Sequence, residues 1–324
     1  MFLMSRWERL QSVLVAAAAG GGLAVGVAWP VGAVLEHLVL PALLLMLVCV
    51  FARLDAAQVG AVRRAGAVVT TSLVLNFVWT PLLAWALGSG LLGDAPDLRI
   101  GLLLLLVTPC TDWYLVFTSL ARGHLGLAAA LLPVNLVLQL VLLPVYVVLL
   151  GGPAAMVDAG TLVEAVLVVL VVPLALGLGL RWGTGRWRGP AWRDRVLDGP
   201  AGALVLPLLC VAVFAMFAWQ VRTVVEHGSA LLALLIPLLV FFVVTPLLAV
   251  GTGRALRLPA DQRVTLTMTT TARNSPIALA VAVAAFPDRP LIAVALVVGP
   301  LLELPVLALL SQVVRVREPA GSTG

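Results

Sequence analysis

Ten stretches of mostly apolar residues, each long enough to cross a bilayer, leave this chain very few folds. They lie at 11–29, 31–52, 67–88, 100–121, 125–150, 161–181, 201–221, 230–250, 263–286 and 290–313. About 20 apolar residues suffice for a helix to span the hydrocarbon core. Lipid offers backbone groups no partners, so such runs form helices rather than open sheet edges. The expected fold class is therefore an all-α integral membrane protein with ten transmembrane helices. Composition agrees: 62% of the 324 residues are hydrophobic and 11% are charged, against roughly half and a quarter in soluble domains. The connections are too short for a soluble domain. The longest, RWGTGRWRGPAWRDRVLDGP at 181–200, reads as a solvated linker whose Trp and Arg anchor it at the membrane interface.

Arginine placement sets the expected orientation. All 20 basic residues are Arg. With a cytoplasmic N-terminus, 16 of them fall on the inside, Arg99, Arg222 and Arg289 fall outside, and Arg273 lies within a span. That bias predicts a multi-pass protein of the cell (inner) membrane with both termini cytoplasmic. Arg6 and Arg9 before the first apolar run read as the flank of a retained helix rather than a signal peptide. Because the Arg residues sit beside spans, the net charge of +5 points to the lipid bilayer as partner and not to nucleic acid. Cys49, Cys110 and Cys210 all lie in apolar runs, which argues against a disulfide framework.

The two halves resemble each other. LVLP occurs at 38–41 and 204–207, TPLLA at 80–84 and 245–249, and DLRIGL at 97–102 aligns with DQRVTL at 261–266. These matches keep their order at a nearly constant shift, the one that carries Leu38 onto Leu204 and Asp97 onto Asp261. They divide the chain into a first repeat, 1–157, and a second, 158–324, of five spans each. Five is odd, so the second repeat enters the membrane inverted, an architecture of secondary transporters with the site at the midplane.

The shift from Asp97 to Asp261 also sets VTPCTDWY (107–114) opposite TARNSPIA (271–278). Both carry a proline and a polar cluster in mid-span. Pro109 and Pro276 each remove a backbone donor and clash with the preceding turn. Spans four and nine are thus expected to be broken helices that cross near the midplane. Freed backbone there must be packed in protein or line a cavity, and half-helix N-termini suit an anion or a polarised oxygen. The candidate substrate-binding residues are Cys110, Thr111, Asp112, Arg273, Asn274 and Ser275. Asp112 and Arg273 are expected to pair, or Arg273 to face the substrate. A buried Asp112–Arg273 bridge that only locks the breaks together is the alternative. A thiol at a half-helix end beside an Arg makes Cys110 a candidate soft ligand.

Glu303 lies in VVGPLLELPVLALL between Pro300 and Pro305. Its repeat mate, Gln139, follows Asn135 by one turn. An intramembrane carboxyl is a functional-site hypothesis by default, so Glu303, Gln139 and Asn135 are the candidate coupling-ion residues. Glu36, His37, Asn76 and Glu164 read as interfacial or structural.

PCTDWYLVFTSLARG, NLVLQ (135–139), ARNSPIALAVAVAAF and GPLLELPVLALL resemble spans four, five, nine and ten of the arsenite-efflux permeases of the bile acid:sodium symporter superfamily. The resemblance covers roughly residues 30–315. It implies ten spans in a five-plus-five inverted repeat, and it implies roles in metalloid binding for Cys110, as As/Sb ligand, and in proton exchange for Glu303. The chain departs from the pattern in span nine. Arg273 takes the place of the first of two Asn, and Pro276 stands where a Glu is expected. A positive charge there disfavours Na⁺ coupling unless Asp112 neutralises it.

Three functions follow. The first is proton-coupled efflux of arsenite or antimonite. The second is Na⁺- or proton-coupled symport of organic anions held by Arg273 and the half-helix N-termini. The third is a membrane sensor or structural subunit, which the inverted repeat disfavours. The sequence contains no nucleophile–base pair, nucleotide loop or metal-ligand cluster, so neither an enzyme nor a cofactor is expected.

Overall fold

The computed structural model describes residues 6–29, 32–53, 66–111, 113–151, 159–197, 199 and 202–315. The principal helices are α1 (Arg6–Ala28), α2 (Gly32–Ala52), α4 (Pro96–Val107), α5 (Trp113–Leu120), α6 (Leu125–Leu150), α8 (Gly202–Trp219), α9 (Leu235–Ala255), α10 (Ala260–Thr271), α11 (Ser275–Ala285) and α12 (Pro290–Val313). Two more, α3 (Gly66–Leu91) and α7 (Gly160–Arg188), complete the set. Among the described residues there are no strands, and seven helices are long and apolar enough to cross a membrane. Of the other expected spans, the first has a shorter apolar part, Val13–Ala28. The fourth and ninth are each interrupted, leaving α4 and α5, and α10 and α11.

Prolines leave local marks on this fold. In α3, Pro81 has no N–H to give the Phe77 carbonyl. The helix widens to a π-turn over Leu75–Trp79, and the Tyr146 hydroxyl of α6 donates to the Phe77 carbonyl at 2.6 Å. A second π-turn, Leu167–Val171, precedes Pro173 in α7. The stretch at 181–200 departs from the expected linker. Helix α7 continues through Arg188 and ends at Gly189, whose φ of 82° is open to glycine. A further helical turn, Pro190–Val196, follows, and Arg188 stacks over Trp192 at 5.0 Å. Trp182 and Trp187 are exposed, as interface anchors would be.

The helices pack in two groups. Helix α2 lies against α7 and α8, and α1 lies against α8. The α1–α8 contact is close: a Cβ on Gly26 would collide with the Ala218 carbonyl oxygen. In the second group α3 packs on α4, α9 on α10, α4 on α12 and α11 on α12, while α6 touches α4, α5 and α10. The turn between α5 and α6 presses onto α10. A Cβ on Gly123 would fall within 2.8 Å of Val264, and Thr265 Oγ1 accepts from the His124 N–H at 2.8 Å. Helix bounds recur across the two halves. The shift that carries Asp97 onto Asp261 also carries Pro96 and Val107, the ends of α4, onto Ala260 and Thr271, the ends of α10. It carries Leu91, the end of α3, onto Ala255, the end of α9.

Candidate functional site

The two interruptions meet. Pro109 disfavours helix at Thr108, which is extended, with φ −103° and ψ 97°, so α4 stops at Val107. Pro276 works from the other direction. It sits in the first turn of α11, where a missing N–H costs nothing, and α10 has already ended at Thr271. Between these ends, Pro109 and Arg273 form an isolated antiparallel bridge. The Cys110 N–H donates to the Ala272 carbonyl at 3.1 Å, and the Asn274 N–H donates to the Thr108 carbonyl at 2.7 Å. The two bonds are equivalent under the repeat shift. Asn274 adds side-chain contacts: its Nδ2 donates to Thr111 Oγ1 at 2.9 Å, and its Oδ1 caps α11 by accepting from the Ile277 N–H at 3.1 Å.

Arg273 is 1% exposed. Its guanidinium donates to the Leu106 carbonyl at 2.8 Å, to Asn76 Oδ1 at 2.8 Å, to the Thr271 carbonyl at 3.4 Å and to the Thr270 carbonyl. It also lies 5.2 Å from the Phe241 ring centre. The carbonyls belong to the C-terminal turns of α4 and α10, where helix dipoles present their negative ends. Asp112, the expected partner, lies outside the described residues. Glu303 reaches the crossing another way: its Oε1 accepts the backbone N–H of Arg273 at 2.9 Å.

Cys110 is 3% exposed. With Thr111, Arg273, Asn274 and Pro276 it lines a cavity of about 20 Å³, room for about one water. Across the cavity stand Met46, Leu47 and Val50 of α2, and Val205 and Leu209 of α8. The cavity therefore lies between the polar crossing and the apolar face of the other helix group. Larger spaces lie elsewhere. One of about 660 Å³ opens between α9, α10 and α12, beside Arg254, Arg263 and Arg315. Its walls include the outward-facing Val243 and Leu247, which places it at the periphery.

The remaining sequence candidates divide. Ser275 is buried beside Gly299 of α12, and its hydroxyl has no hydrogen-bond partner among the described residues. Asn135 and Gln139 are fully buried on α6, and among the described residues their amides are also without partners, so no hydrogen bond ties them to Glu303. Glu36, His37 and Glu164 are not buried. Asn76 sits at the centre instead: besides holding Arg273, its Nδ2 donates to the Thr269 carbonyl at 3.3 Å. Asn76 read as structural because nothing in the sequence links it to span nine. Phe241 gave no signal, since an aromatic in an apolar run is ordinary. The polar run Thr267–Thr271 stays within α10: Thr267, Thr270 and Thr271 hydroxyls donate to carbonyls one turn back at 2.7–2.8 Å, a usual role for buried helical Thr.

Known proteins share this chain's pattern. It is 28% identical over 246 residues to the arsenical-resistance protein Acr3 of Corynebacterium glutamicum, which covers 73% of this chain and 66% of that protein. It is 26% identical over 222 residues to the Acr3 protein of Alkaliphilus metalliredigens, covering 68% of this chain and 62% of that one. An uncharacterized transporter of Synechocystis is 26% identical over 66% of this chain and 56% of its own length. The chain thus spans less than two thirds of the length of these relatives. The profile of the Sodium Bile acid symporter family matches residues 40–227, more than half of the chain, and the chain belongs to that family.

Proposed function

We propose that the chain is a secondary active transporter that exports arsenite or antimonite in exchange for protons. The observation that carries this reading is Cys110: a thiol on the wall of a small cavity, flanked by Thr111 and Asn274, where two helices are broken. A soft thiolate suits a soft metalloid. A cavity of about 20 Å³ suits a small hydroxylated solute better than a bulky organic anion. Among the described residues no three His, Cys, Asp or Glu side chains gather, so the ligands beside Cys110 would be oxygens, from Thr111, Asn274 or Asp112, while Ser275, turned towards Gly299, would support the crossing. The arsenical-resistance names of two relatives support the same substrate class.

The architecture in this reading is ten spans in two inverted repeats, 1–157 and 158–324, with spans four and nine crossing at the midplane. The helix bounds that recur under the repeat shift support it, as does the symmetric backbone exchange at the crossing. Both termini face the cytoplasm of an inner-membrane protein, as the Arg bias requires. Helices α1, α2, α7 and α8 rock against the others, opening the cavity to each side in turn. Glu303 carries the proton. Asn135 and Gln139, buried with unmet hydrogen-bonding capacity, belong to the same coupling path.

The test is arsenite uptake into everted vesicles under an imposed proton gradient, comparing the parent chain with Cys110→Ser. Gradient-dependent uptake lost in the variant is expected. Absence of uptake by the expressed parent chain would overturn the metalloid reading and favour organic-anion symport, the function for which the family is named.

A further inference from the structure

Among the described residues, the oxygens around the Arg273 guanidinium are those that would hold a bound cation. Its guanidinium hydrogens go to neutral oxygens: the Leu106 carbonyl ending α4, the Thr270 and Thr271 carbonyls ending α10, and the amide oxygen of Asn76. Phe241 covers it with a ring face, the side on which an aromatic attracts a cation. Two helix C-termini thus converge on one buried point, each bringing partial negative charge and carbonyls that no longer serve a helix. In transporters with interrupted helices, unwound carbonyls and half-helix C-termini are the groups that coordinate a free coupling cation. The carboxyl of Glu303, whose Oε1 accepts the backbone N–H of Arg273, adds an acidic group beside the same point.

We propose that Arg273 is a tethered cation. Its guanidinium permanently fills a monovalent-cation site built from the C-terminal ends of the two half-helices, so the protein needs no free Na⁺ there. The tether is short and fixed, because residue 273 is itself the bridge partner of Pro109. Removing the side chain leaves the carbonyls of α4 and α10 and the Asn76 oxygen converging on a vacated, electronegative hole. That hole then accepts a small cation from solution, and free guanidinium, which restores the lost donors, fits it best. The inference concerns a cation and not the exported solute, so it goes beyond the transport reading and does not depend on it.

The test uses the full chain in lipid nanodiscs, without arsenite. Thermal unfolding is followed in choline, sodium, potassium and guanidinium chlorides at about 10 mM, far below denaturing concentrations. The parent chain is expected to unfold at the same temperature in all four salts. Arg273→Ala is expected to unfold at lower temperature in choline and to recover by roughly 3 °C or more with guanidinium, and by less with Na⁺. Arg273→Lys keeps a tethered charge with fewer donors and is expected to gain nothing from added cations. A parent chain stabilised by Na⁺ over choline by roughly 3 °C or more would overturn the proposal, as would a folded Arg273→Ala indifferent to guanidinium. If Arg273→Ala does not fold, the parent comparison still decides, together with direct binding of radioactive Na⁺, which must be undetectable in the parent. A loss of arsenite transport changes none of these readouts, so the two proposals fail separately.

Discussion

Glu303 offers the sharpest separation between holding the crossing together and moving a proton. Its Oε1 accepts the Arg273 backbone N–H at 2.9 Å, and the residue is 3% exposed. Glu303→Gln leaves an amide oxygen where that carboxyl oxygen stands, so the N–H keeps an acceptor but the site loses its protonatable group. A hydrogen bond to a charged group is worth about 1.5–3 kcal/mol and a neutral one about 0.5–1.5, and a buried proton carrier need not be ionised, so the Gln variant should lose about 1 kcal/mol or less. Glu303→Ala leaves a buried N–H unpaired, about 1–3 kcal/mol, and opens a hole in α12. Its loss should come to about 2–4 kcal/mol. At roughly 2–4 °C per kcal/mol for a chain of this order of size, the Gln variant should unfold at most about 4 °C early and the Ala variant at least about 4 °C early. Unfolding of detergent-purified protein can be followed by Trp fluorescence, the chain having nine Trp. In everted vesicles Glu303→Gln should retain substrate binding while losing the response to a proton gradient. Equal destabilisation by Gln and Ala would refute the acceptor role. An undiminished gradient response in Glu303→Gln would refute the proton role.

Other consequences are local. Tyr146→Phe should destabilise by about 1–3 kcal/mol, because it strands the Phe77 carbonyl that Pro81 has already orphaned. Pro81→Ala in the same chain should recover part of that loss, a coupling measurable as a double-mutant cycle in thermal unfolding. Gly26→Ala should lower the unfolding temperature, since its Cβ would collide with the Ala218 carbonyl, whereas Gly20→Ala meets nothing within 4 Å and should be neutral or stabilising by up to about 1 kcal/mol. Asp97→Asn breaks the part-buried bridge from Arg289 that joins the starts of α4 and α12. Partial exposure holds its cost to about 1 kcal/mol or less in the same assay.

The sequence made legible what depends on covalent structure and on water. Apolar run length gave the helices, and Pro109 and Pro276 gave the interruptions at 108–111 and 272–274, because a missing N–H and a ring clash act wherever the chain goes. The repeat shift aligned Cys110 with Asn274, and these two residues donate the paired backbone bonds of the crossing. What stayed hidden depends on where a long side chain points. Arg273 invited an acidic partner by charge, and Asp112 stood nearby in the repeat alignment. Carbonyl oxygens leave no trace in residue identity, so a guanidinium bound by Leu106, Thr270 and Thr271 could not be foreseen. Asn76 was hidden for a related reason. Its link to Arg273 joins positions far apart in the chain, and neither a local pattern nor the repeat brings the two together.

A buried arginine can persist here because its cost is shared between two helix ends. Each interruption creates unmet carbonyls at a C-terminus, which alone would be expensive in a low-dielectric interior. A buried cation without partners is more expensive still. Brought together at the crossing, the two liabilities offset each other: the guanidinium supplies several donors in one plane, and α4 and α10 supply acceptors from two directions. Lysine could not do this as well, since its ammonium has three donors and no planar fork. Among the described residues, the polar contacts of Arg273, Asn274, Asn76 and Glu303 fall within the group formed by α3 to α6 and α9 to α12, while α2 and α8 face the cavity with Met46, Leu47, Val50, Val205 and Leu209. Sliding along those apolar side chains breaks none of the crossing's hydrogen bonds. The polar centre can therefore stay rigid while the space beside Cys110 changes, which is the mechanical requirement of alternating access about a fixed site.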